Sequence, residues 1–186
     1  MKPVYEYKSI PFELKDLDTK EGILFQYYSA FNKWDAAKDM VIPGAYTKTL
    51  QEQGPGSSQP RIKHFLNHDI NQPLGKLFEA KQDDFGLLAG SKIGTHNGGQ
   101  DFIKMVESGL ITEGSMGYVT VKSQDTSQGR LLKELIVMEL SSLSGWGCNQ
   151  WTPIVGLKSD DEIERISTRL KSLEKFCRNT TATDET

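Results

Sequence analysis

Two of the chain's three histidines, His64 and His68, lie in "RIKHFLNHDINQPLGKL", residues 61 to 77. A pair of histidines spaced i,i+4 shares one face of a helix, where both rings can hold a metal. "RIKHFLN" has the composition of a strand, however, and four residues of strand carry the two rings ~13 Å apart. No glutamate follows His64 in the zincin pattern and no third ligand accompanies the pair, so no metal site is expected. A metal-dependent hydrolase built on these two residues would betray itself by sensitivity to chelators.

Nucleophilic catalysis asks for different residues. A serine hydroxyl becomes a useful nucleophile when a nearby histidine takes its proton. A third group, commonly a carboxylate, then fixes the histidine tautomer and stabilises the imidazolium. Ser115 lies between Gly114 and Gly117 in a β-favouring segment, where small neighbours let a substrate backbone approach. The same glycines equally describe a bulge or kink carrying a surface serine. His68 stands between Asn67 and Asp69, in what reads as a turn where a solvated histidine is ordinary. Glu139 directly follows "LIVM" and so ends a strand that should be deeply buried. A carboxylate there is either solvated at the strand end or paired with a cation or hydrogen-bond donor. His96, before Asn97-Gly98-Gly99, reads as a turn residue opening a helix.

The elements that must position these groups are mostly strands. Residues 22 to 31, "GILFQYYSAF", read as a buried strand. Asp35 and Asp39 fall in a turn-like stretch, and Pro43 suits the first turn of a short helix ending near Gln53. "GPGSSQP" is a loop, "RIKHFLN" a strand and "HDINQP" a turn. Two further strands meet at the turn Asp83-Asp84-Phe85-Gly86. A helix over 98–108 ends at Gly109, and strands over 110–123 and 130–144 flank the loop "QDTSQG". From Ser159 the pattern changes. Ser159 and Glu162 have capping-box spacing, and Ile163, Ile166, Leu170, Leu173 and Cys177 form a narrow apolar seam. That seam suits a helix that self-associates or packs on its own domain, before a polar tail. The expected division is 1–156 as the domain carrying the chemistry and 157–186 as helix and tail.

Composition narrows the function classes. The net charge of -3 arises from 22 basic and 25 acidic residues mixed along the chain, so no basic stripe points to nucleic acid. Apolar runs fall far short of the ~20 residues that cross a bilayer. The N-terminal "MKPVYEYKSI" lacks the apolar core of a signal peptide. Cys148 and Cys177 form no metal motif and no disulfide framework, and read as free thiols in a reducing, intracellular compartment.

Taken in order, "FNKWDAAKDMVIPGAY", "FLNHDINQPLGKL", "FGLLAGSKI", "MVESGLITEGSMGYVT" and "LLKELIVMELSSLS" resemble the caudoviral prohead serine proteases, which are related in fold to the herpesvirus assemblins. The matching features are Asp35 with Pro43-Gly44-Ala45-Tyr46, His68-Asp69 with Pro73-Leu74-Gly75, Gly109 with Ser115-Met116-Gly117-Tyr118, and Val137-Met138-Glu139-Leu140-Ser141. Two departures stand out. The family's Pro-Ala-Asn stretch is replaced by "LSGWGCNQWTPI", and no obvious arginine follows Glu139 to help an oxyanion site. The resemblance implies an α+β fold, mainly an antiparallel β-barrel surrounded by short helices. It implies Ser115 as nucleophile, His68 as base and Glu139 as third member, with Asp35 and Asp69 as fallbacks, and no cofactor. The implied substrates are the scaffolding protein or the major capsid protein inside the immature prohead in the host cytoplasm, with self-cleavage as well. A protease fold kept as an inactive scaffold or assembly factor is the alternative.

Overall fold

Residues 22–158 are described by the structure, a computed structural model. They run β1 (Ile23–Ala30), β2 (Asp39–Val41), α1 (Thr47–Gln53), β3 (Lys63–Leu66), β4 (Asp69–Gln82), β5 (Gly86–Ile93), α2 (Asn97–Glu107), β6 (Glu113–Asp125), β7 (Arg130–Leu143) and β8 (Ile154–Lys158). The class is α+β, mostly strand. Phe102 and Val106, one turn apart on α2, are buried and seat that helix on the sheet. His96 is its N-cap, and Gly109, at φ +72°, turns the chain out of its end. Asp83 closes the β4–β5 hairpin by accepting the N–H groups of Phe85 and Gly86 at 2.9 and 3.0 Å.

The strands form one eight-stranded sheet in the order β2-β7-β3-β4-β5-β1-β8, with β6 on the other edge of β7. It is not closed into a barrel, contrary to the expectation. Among the described residues no ladder joins β6 to β1 or β8. β1 and β6 touch at Gly114 without pairing, and the segment 147–153 supplies hydrogen bonds to both. Gly147 N–H donates to Glu113 Oε2, Gly114 N–H to Thr152 Oγ1, and Tyr27 N–H to the Pro153 carbonyl. Backbone groups that a barrel would pair with a strand are therefore met partly by side chains.

β7 is the axis of the sheet. Its N-terminal residues pair in parallel with β2 and its C-terminal residues in parallel with β3, while β6 runs antiparallel along the other edge. Between β2 and β3 the first edge is completed without a strand. The Ala45 carbonyl accepts the Leu135 N–H at 3.0 Å, and Thr49 Oγ1 on α1 accepts the Val137 N–H at 3.1 Å.

Three local expectations are corrected. Asp39 opens a strand rather than sitting in a turn, and Pro43 opens a turn at 43–46 with α1 starting only at Thr47. "HDINQP" is mostly strand: β4 begins at Asp69 and pairs with β3 through two register shifts that accommodate Pro73. β8 pairs with β1 through residues to which the sequence reading assigns no element. The expected C-terminal helix and Cys177 lie outside the described residues.

Two apolar clusters fill the interior. One gathers Tyr28, Phe31, Tyr46, Leu132, Leu135, Val137 and Leu140 with their neighbours. The other gathers Leu24, Leu74, Ile93, Phe102, Val106, Ile111 and Ile154. His64 bridges them, edge-on to Tyr28 in the first and to Phe102 in the second.

Candidate active site

His68 is presented by a strained turn. Leu66 pairs with Asp69, leaving Asn67 and His68 as the two central residues, with φ of +53° and +59°. A two-residue type I′ hairpin needs positive φ at both positions and usually places glycine at the second. A histidine there costs roughly 1–2 kcal/mol of backbone energy. The turn is held down accordingly: Asn67 N–H donates to the Ser142 carbonyl at 3.0 Å and His68 N–H to Ser141 Oγ at 3.1 Å. The ring then reaches across β7, with Nδ1 lying 2.6 Å from Glu139 Oε1. The His68 side chain is 43% exposed and that of Glu139 only 14%.

Glu139 is not at a strand end, since β7 runs on to Leu143. It stands at a bulge. Gly117 pairs with Glu139 and Tyr118 with Val137, so Met138 is an extra residue. Val137 and Leu140 both point into the core while Glu139 is aimed at His68. Its second oxygen, Oε2, accepts the Ser141 hydroxyl at 2.6 Å. Ser141 therefore holds the carboxylate and the His68 backbone at once, a role not identified from the sequence. The signal was present, because residues 139 and 141 are two apart on a strand.

Gly117 has a different purpose from the one read in the sequence. A Cβ there would lie 2.5 Å from Glu139 Oε1, so the missing side chain leaves space for the carboxylate. At Gly114 a Cβ would meet the Tyr27 carbonyl at 2.6 Å, so that glycine admits β1 rather than a substrate. Gly117→Ala presses on the Glu139 side chain and not on backbone, most closely at Oε1 and less so at Cγ and Cδ. It is expected to leave stability within about 1 kcal/mol while lowering kcat for peptide cleavage about 10²-fold. Chemical denaturation and steady-state kinetics on one preparation check this, and an unimpaired kcat would show that the carboxylate needs no clearance.

Ser115 is brought to the same place by the ladder. It pairs directly with Ser141, as Gly117 does with Glu139, so Ser115, Ser141 and Glu139 share one face of the β6–β7 ribbon. Among the described residues Ser115 Oγ makes no hydrogen bond, so Ser115 and His68 lie at the same stretch of β7 with no hydrogen bond between them. The two fallback carboxylates are engaged elsewhere. Asp35 Oδ1 accepts the N–H groups of Ala37 and Asp39, each at 2.8 Å. Asp69 accepts from Gln72 and from Asn71, and these bonds hold its carboxyl below the ordinary range.

His64 lies behind this face, 1% exposed. Its Nδ1 is 3.0 Å from Ser91 Oγ, and its Nε2 is 3.1 Å from Tyr28 Oη and 3.2 Å from Ser142 Oγ. Both ring nitrogens are thus committed to hydroxyls in the core, and His64 and His68 do not share a site. Burial pushes the His64 pKa down to about 3. The network continues through the Ser142 hydroxyl, which donates to Gln26 Oε1 at 2.6 Å. Ser142 pairs with Gly114, so this polar cluster backs the residue next to Ser115.

Comparisons with known proteins bear on the family and the fold. The family model of the caudovirus prohead serine protease matches residues 10–164. The chain is 29% identical over 153 residues to the prohead protease of Enterobacteria phage HK97, a match covering 80% of this chain and 66% of that relative's length, just under two thirds. In fold it is similar to the bacteriophage T4 capsid assembly protease, with a TM-score of 0.54 at 13% identity over 67% of this chain and 82% of that one. On the extent of the family match, the chain belongs to the caudovirus prohead serine proteases.

Proposed function

We propose that the chain is a serine endopeptidase of tailed-phage head maturation, with Ser115 as nucleophile, His68 as general base and Glu139 as the group that orients the base. The observation that carries this reading is the 2.6 Å pair between His68 Nδ1 and Glu139 Oε1, on the face that bears Ser115. With Nδ1–H donated to the carboxylate, the Nε2 lone pair is left for the serine proton. Ser115 Oγ attacks the peptide carbonyl as its proton passes to His68 Nε2, and the imidazolium returns that proton to the leaving amine. Water, deprotonated by the same histidine, then releases the acyl group from Ser115. No arginine closely follows Glu139, so backbone N–H groups serve the oxyanion.

The substrates we propose are the scaffolding protein or the scaffold segment of the major capsid protein, inside the immature shell in the host cytoplasm. The family match and the HK97 relative support that setting. The chain also cleaves itself beyond Pro153, and the C-terminal seam from Ile163 to Cys177 lets copies associate. One observation favours an inactive assembly protein instead, namely the lack of a hydrogen bond at Ser115 Oγ. Catalytic hydrogen bonds often tighten only when substrate is bound, so the paired His68 weighs more.

The test is covalent capture. A fluorophosphonate is expected to add one phosphonyl group to the chain, mapped by peptide mass spectrometry to Ser115. Incubation with the phage's own capsid and scaffolding proteins is expected to shorten one of them. An unlabelled Ser115 together with intact capsid and scaffolding proteins would favour the inactive reading.

A further inference from the structure

Trp146 is 84% exposed, yet the chain on both sides of it is fixed. Two residues earlier, Ser144 N–H donates to Asn67 Oδ1 at 2.9 Å and Ser144 Oγ accepts from Asn67 Nδ2 at 2.9 Å. That end is tied to the residue preceding His68. On the other side, Gly147 N–H donates to Glu113 Oε2 at 2.7 Å. Glu113 and Ser115 are two apart on β6 and share a face, so this bond draws Gly147 to the Ser115 face, ~7 Å along the strand. A Cβ on Gly147 would lie 3.2 Å from the Gly114 carbonyl, which agrees with that closeness. The backbone at Trp146 is therefore held between the turn that carries His68 and the strand that carries Ser115, with its side chain in water.

A large aromatic ring held on an ordered backbone is well suited to binding. It offers a broad apolar face with few side-chain torsions to freeze, and a ligand that covers it does not have to order the loop. Two further large apolar side chains are exposed next to the site residues in sequence: Ile70, two residues after His68, is 75% exposed, and Met138, beside Glu139, is 51% exposed. The centre of the site is polar while its rim is apolar, the pattern of a surface that takes side chains around a reacting amide. The loop bearing Trp146 is also the stretch where the sequence departs from its family.

We infer that Trp146 forms a wall of a substrate subsite that receives an apolar side chain of an extended peptide close to the scissile bond. It is a specificity-determining residue, and this inference rests on Ser115 being the nucleophile. The test uses the full chain and internally quenched peptides spanning a bond that it cuts in its phage's capsid or scaffolding protein. Phe, Leu or Gly is placed in turn at each position flanking that bond. At one position the wild-type chain is expected to prefer Phe or Leu over Gly by about tenfold in kcat/KM. Trp146→Ala is expected to erase that preference, and Trp146→Phe to keep most of it. A fall of equal size for all three peptides, or a preference intact in Trp146→Ala, overturns the inference. Failure of the underlying reading is distinct, because the wild-type chain would then cut no peptide, or Ser115→Ala would cut them equally well.

Discussion

Ser115→Ala and His68→Ala are each expected to lower kcat for peptide cleavage by roughly 10⁶-fold, and the double variant to lose no more than either. The residues act as one unit. A hydroxyl without its base is as poor a nucleophile as water, and a base without its hydroxyl has nothing to activate. Glu139→Gln is expected to cost less, about 10⁴-fold, because an amide can still contact the ring while favouring the wrong tautomer. It also removes the charge that stabilises the imidazolium, and it can turn an N–H toward Ser141 or His68. Single-turnover cleavage of one peptide by all four variants measures the set. Additive losses from Ser115 and His68 would mean that they serve separate steps. A Glu139→Gln variant of full activity would return Asp35 or Asp69 to consideration.

The second large effect concerns stability in acid. His64 is expected to make folding less favourable by about 1.4 kcal/mol for each pH unit below its unfolded pKa. The sign follows from proton binding. The folded pKa is depressed from 6.5 to about 3 by burial, so between these values the unfolded chain binds a proton that the folded chain excludes. Stability attributable to neutral His64 is complete above pH 6.5 and is lost progressively toward pH 3, several kcal/mol in total. Protonation would also cost the ring its only acceptor nitrogen, leaving it with donors alone among Ser91, Tyr28 and Ser142. Urea unfolding from pH 7 to pH 3.5, compared with His64→Gln, isolates this effect from the carboxylates. Parallel curves for the two proteins would show that His64 does not govern the decline.

The sequence was most readable where local pattern and tertiary demand agree. β1 is aromatic and apolar, β5 and β7 carry apolar runs, α2 carries Phe102 and Val106 one turn apart, and Asp83 marks its hairpin, so each element declared itself. β2 is three residues long and has no periodicity to read. The first half of β4 contains Asn71, Pro73 and Gly75, turn formers by local preference, and becomes strand only because β3 and β5 lie beside it. The site was legible as residue types in order, and the structure adds how they meet. The bulge at Met138 that turns Glu139 toward His68 leaves no mark in "LIVMELSS", because a skipped pairing is a relation between two strands. Ser141 was visible only as a motif position, although strand periodicity ties it to Glu139.

Since β7 is the common neighbour of β2, β3 and β6, the order of synthesis matters. A chain leaving the ribosome from its N-terminus presents His68 first, then Ser115, and Glu139 with Ser141 only afterwards. Until β7 emerges, β3 and β6 have no strand between them, and the carboxylate and hydroxyl that seize the His68 turn do not yet exist. On the proposed triad, an incomplete chain that ends before β7 lacks the group that orients its base. The capacity proposed for Ser115 then arrives only with β7, the strand that joins β2, β3 and β6.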